Sequence, residues 1–112
     1  MSRLIVVAES EDTIAAPGNR KPDYVVVSVT DENGVPVTGL NKRNFAIESI
    51  IVGPGGALVK ITSVGTVGLP GFYIVQVVPI RRETWKAGVY IFGVAVKVKK
   101  DMGQTLAKVL MD

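Results

Sequence analysis

Apolar and polar residues alternate with a period of two through most of this chain, the signature of strands that bury one face. The pattern is sharpest from Gly88 to Lys99. There Tyr90, Phe92, Val94, Val96 and Val98 point one way, and Ile91, Gly93, Ala95, Lys97 and Lys99 the other, the second set becoming polar towards the end. Leu58 to Val64 alternates more weakly, with Val59 and Ile61 on its apolar face. Phe72, Ile74 and Val78 alternate with Tyr73, Val75 and Val77, so this segment is apolar on both sides and is expected to be a central strand. Leu4 to Ala8, Tyr24 to Thr30 and Phe45 to Val52 are further strands, and Val35-Pro36-Val37 continues extended, its proline suiting an edge.

Turn chemistry separates these segments. Asp31-Glu32-Asn33-Gly34 predicts a hairpin-type reversal in which Asn-Gly supplies the positive φ angles. Gly39 to Asn44 has room for one helical turn, while Gly53-Pro54-Gly55-Gly56 and Gly65 to Gly71 are breaks. Ile80 to Ala87 is a charged corner. Lys100-Asp101-Met102-Gly103 predicts a tight turn with the glycine left-handed, returning the chain as Gln104 to Met111. Leu106, Val109 and Leu110 also fit helical spacing, but the preceding strand and short turn favour a hairpin. Residues 10–23 have no sustained period and carry proline and glycine, so they are expected to form a long loop or mobile linker. The sum is an all-β domain spanning 1–112, with about seven antiparallel strands in a sandwich or small barrel.

Composition narrows the chemistry. The chain has 112 residues, 47% of them apolar, enough to close one core without metal or disulfide support. It contains no cysteine and no histidine. Disulfides, thiolate nucleophiles and cysteine-bound metals are thereby excluded, and the commonest general base near neutral pH is missing. Neither enzymatic activity nor a cofactor is expected. Gly53-Pro54-Gly55-Gly56 is not a phosphate loop, because no Lys-Ser/Thr follows it. The run Leu4 to Ala8 is too short for a signal-peptide core, and no apolar run approaches the roughly 20 residues of a membrane-spanning helix. The expectation is a chain that does not insert into membranes and is cytoplasmic as written, unless it is excised from a longer exported protein.

Val29-Thr30-Asp31-Glu32-Asn33-Gly34-Val35-Pro36-Val37-Thr38-Gly39-Leu40, followed by Phe45, resembles the opening hairpin of bacterial immunoglobulin-like and transthyretin-like domains. Trp85-Lys86-Ala87-Gly88-Val89-Tyr90-Ile91-Phe92 resembles their late strand. Gly88-Val89-Tyr90 is placed like the tyrosine corner of immunoglobulin domains, and Phe92 stands where their second cysteine stands. The resemblance covers about Tyr24 to Lys100 and implies an immunoglobulin-like β-sandwich acting as a structural, adhesive or partner-binding module. It departs from the antibody pattern in lacking the disulfide and in placing the only tryptophan at the corner.

Three constellations are candidates for binding. Asp31, Glu32 and Asn33 offer oxygen ligands for calcium, joined by Ser10, Glu11 and Asp12 if that loop packs nearby; turn conformation explains the same residues. Lys97, Lys99 and Lys100 at one strand end, with Arg81, Arg82 and Lys86 at the corner, suggest a basic patch for anions. Solvated strand ends are the plainer account, and with few aromatics free to stack on bases, nucleic acid is disfavoured. Trp85 is either an exposed anchor for carbohydrate or protein, or a lid over one end of the fold. The leading expectation is a protein-interaction or structural module, self-associating or bound to another protein through a strand edge or loop end. The alternative is a carbohydrate- or anion-binding module using Trp85 and the basic corner.

Overall fold

The computed structural model describes residues 3–10, 18, 20–51, 59–80, 83–85 and 88–111. Within them lie seven strands, β1 (Ile5–Ser10), β2 (Asp23–Thr30), β3 (Phe45–Ile51), β4 (Val59–Thr66), β5 (Phe72–Pro79), β6 (Gly88–Val98) and β7 (Asp101–Met111). They form two antiparallel sheets with strand orders β1-β2-β5-β4 and β3-β6-β7. The all-β expectation therefore holds, and the final segment is a strand. The Gly53-Pro54-Gly55-Gly56 break and residues 11–17 and 19 of the expected linker lie outside the described residues.

Alternation in sequence becomes alternation in burial. In β2, Val25, Val27 and Val29 are fully buried while Tyr24, Val26, Ser28 and Thr30 face outward. β5 lies between β2 and β4, as its two-sided apolarity predicts, and sends Tyr73, Val75 and Val77 inward. Tyr90, Phe92, Val94 and Val96 come from β6, Ala107 and Val109 from β7, and all join one buried cluster with the inward residues of the other sheet. Phe45 of β3 meets Tyr73 of β5 edge-on at 5.3 Å, linking the layers. Burying a valine contributes roughly 1.5–3 kcal/mol, so this β-branched cluster is the main stabilising feature.

Local chemistry explains the connections. Asp31 Oδ1 accepts hydrogen bonds from the backbone N–H groups of Asn33 (2.8 Å) and Val35 (3.0 Å), and the Gly34 N–H donates to the Asp31 carbonyl. Of the four turn residues only Gly34 has a positive φ, +80°, so the carboxylate supplies what a left-handed Asn33 was expected to supply. A 3₁₀ turn, Lys42–Asn44, follows Gly39 as the spacing predicts. Asn41 accepts at its side chain from the Arg43 N–H, and Asn44 Oδ1 accepts from the Asn41 N–H.

The β6–β7 turn departs from expectation. Val98 pairs with Asp101, so the loop is Lys99–Lys100, two residues earlier than the Gly103 turn, and Lys99 itself is left-handed at φ 56°. That conformation costs about 1–2 kcal/mol in a residue with a Cβ. Gly103 instead lies in the ladder opposite Val96, where the chain start crosses β7. Arg3 bridges Met102 in parallel, the Leu4 N–H donates to the Met102 carbonyl at 3.0 Å, and a Cβ on Gly103 would fall 2.3 Å from the Leu4 carbonyl oxygen. The glycine is needed for that close approach, and the turn strain falls on Lys99.

Candidate functional site

Trp85 stands on the connection from β5 to β6 and is fully buried. Its ring meets Tyr90 edge-on at 5.4 Å and lies 6.4 Å from Phe92. Its indole N–H donates to the Lys21 carbonyl at 2.7 Å, and its own carbonyl accepts from the Gly18 N–H at 2.8 Å. The Arg20 guanidinium spans the same connection, donating to the carbonyls of Pro79 and Glu83. The part of residues 10–23 nearest β2 is thus fastened onto the tryptophan. Of the two sequence readings for Trp85, the lid is the one this geometry follows; a carbohydrate stacking on the indole would first have to displace that closure. Arg81, Arg82 and Lys86 lie outside the described residues.

Lys97 and Lys99 are exposed at the other end of β6. Trp85 precedes β6, which the chain enters at Gly88, and Gly88 to Val98 spans roughly 33 Å at strand rise, so Trp85 and the lysines do not converge. Other groups gather around Lys97 and Lys99. Asn44 Nδ2 donates to the Lys97 carbonyl at 3.0 Å, which seats Lys42 and Arg43 beside that strand end. Lys97 pairs with Met102, which bridges Arg3, and Lys100 completes the hairpin. Arg3, Lys42, Arg43, Lys97, Lys99 and Lys100 are all exposed. Tertiary structure brings Arg3, Lys42 and Arg43 here; their scattered positions gave no sign of it.

Asp31 and Glu32 have local work at this end, since Asp31 Oδ1 holds the turn and Glu32 Oε1 accepts from the Arg3 backbone N–H at 2.9 Å. Among the described residues no group of three or more carboxylates is placed to hold a metal ion.

A second surface lies on the outward side of β3-β6-β7. Gly93 and Ala95 of β6, with Ala46 of β3, line an open hollow of about 700 Å³ that Gln104 and Leu106 of β7 flank. Gly93 pairs with Leu106, and Ala95 with Ala46 and Gln104. Leu106 is 58% exposed beside this small-residue lining. The signal was present in the sequence as small residues at successive outward positions of β6, but their partners on β3 and β7 depended on register. No family model matches the chain, and neither do any curated proteins or solved structures.

Proposed function

We propose that the chain is a non-enzymatic interaction module of immunoglobulin-like build that self-associates through the outward face of β3-β6-β7. What supports the immunoglobulin-like assignment is strand order: β1-β2-β5-β4 and β3-β6-β7 correspond to the ABED and CFG sheets of a constant-type domain.

The observation carrying the interaction reading is the pairing of a knob and a hollow on one face. Leu106 projects beside the hollow lined by Ala46, Gly93 and Ala95. A two-fold axis through that face would seat each Leu106 in the hollow of the other copy, the self-complementarity that an isologous interface requires. Strand edges are a poorer route. β4 has a register shift between Ile61 and Ser63 beside exposed Lys60, and β3 has one between Ser49 and Ile51; such features oppose edge-to-edge pairing.

Size-exclusion chromatography with light scattering over a concentration series tests this reading. The expected result is a dimer for the unaltered chain and a monomer with unchanged thermal midpoint for Leu106→Arg. An unaltered chain that stays monomeric removes the second copy as the partner.

A further inference from the structure

We infer that the loop end carrying Lys99 is a docking surface for an anionic lipid bilayer, separate from the hollow on β3-β6-β7. Two chemically different halves meet there. One is basic: Lys42 and Arg43 on the 3₁₀ turn, Lys97, Lys99 and Lys100 at the β6–β7 hairpin, and Arg3 beyond Met102, all exposed. The carboxylates at this end are Asp31, Glu32 and Asp101. By formal charge, six cations against three anions place the equivalent of the chain's whole excess of +3 at one end.

The other half is apolar and projects from the neighbouring loops. Val35 is 56% exposed after the Asp31–Gly34 reversal, and Leu69 is 59% exposed between β4 and β5, with Val67, Pro36 and Pro70 exposed around them. These loops touch. The Gly71 carbonyl accepts from the Val29 N–H, and a Cβ on Gly71 would lie 2.9 Å from Pro36 Cβ. The Tyr73 hydroxyl donates to the Val37 carbonyl at 2.6 Å and lies 3.4 Å from the Leu40 N–H donor, so the knuckle is held in place before any partner arrives.

Aliphatic tips beside flexible lysines and arginines suit the headgroup boundary of an anionic leaflet, where the tips enter the acyl edge and the cations meet phosphate and carboxylate. A nucleic acid would use the basic half and leave the aliphatic knuckle in water. The docking is peripheral, and no helix among the described residues is long and apolar enough to cross a membrane.

The test is co-sedimentation of the full chain with phosphatidylcholine vesicles, with and without about a third phosphatidylserine. Binding is expected only with phosphatidylserine and should weaken as salt rises. Charge reversal by Lys99→Glu with Lys100→Glu should lower the partition roughly thirtyfold or more, from about a factor of five per lysine lost. Leu69→Asn, which leaves the net charge unaltered, should lower it at least about fivefold. Each variant must keep the buried emission of Trp85, which sits at the far end and reports the fold independently. Absence of binding to phosphatidylserine vesicles overturns the proposal. So does binding that survives the lysine reversal, and so does binding indifferent to the uncharged Leu69→Asn, which would indicate a general polyanion surface.

Discussion

At the end where β5 passes to β6, the largest side chain of the protein is fully buried, its N–H satisfied by the Lys21 carbonyl and its ring set against Tyr90 and Phe92. At the opposite end Val35 and Leu69 stand more than half exposed beside a group of cations. Both ends terminate the same two sheets, and each has backbone groups that the ladders do not pair. The first end closes itself with an aromatic lid strapped by Gly18, Arg20 and Lys21; the second closes only its turns, through Asp31 and Tyr73, and leaves its tips to solvent. A side chain favoured at binding sites by type can thus be structural by position, while ordinary valine, leucine and lysine carry the exposed chemistry.

That contrast can be broken experimentally. Trp85→Ala should have the largest effect, about 3–5 kcal/mol of lost stability in urea denaturation, because it leaves a cavity and removes the indole hydrogen bond to the Lys21 carbonyl. A loss under about 1 kcal/mol would mean that this end is not closed by the lid. Gly103→Ala should cost about 1–3 kcal/mol by forcing the chain start away from β7, with faster proteolysis near Leu4 as its local readout. Tyr73→Phe removes the hydroxyl that holds Val37 and Leu40, and about 1 kcal/mol should go with it while the core packing stays. Lys99→Asn should raise the thermal midpoint slightly, by less than about 1 kcal/mol of stabilisation, since asparagine tolerates the left-handed backbone better. Lys97→Ala, at an exposed position, should stay within about 0.5 kcal/mol of the unaltered chain, sharpening the distinction between a closed end and a presented one.

Much of the fold was legible because period-two burial is a local property. Val25, Val27 and Val29 face the core for the same reason that Ser28 does not, and the two-sided β5 had to be central. The candidate surfaces were less legible. Lys97 and Lys99 were visible as cations, but Arg3, Lys42 and Arg43 join them only because Arg3 bridges Met102 and Asn44 holds the Lys97 carbonyl. The hollow depends likewise on Ala46 and Leu106 pairing with β6. Gly103 was legible as a glycine with a purpose, but it serves a close backbone approach in the ladder instead of a turn. A left-handed turn and a close backbone approach both call for the missing Cβ, and only the path of Leu4 across β7 distinguishes them.

By itself the sequence determined the strand class, the inward faces and the absence of thiol and imidazole chemistry, since each follows from side-chain type and spacing along a few residues. Tertiary structure decided that Trp85 closes an end, that Lys99 takes the turn and that cations far apart in the chain share one end. Those outcomes depend on which backbones lie side by side, and that is fixed by the packing of whole sheets.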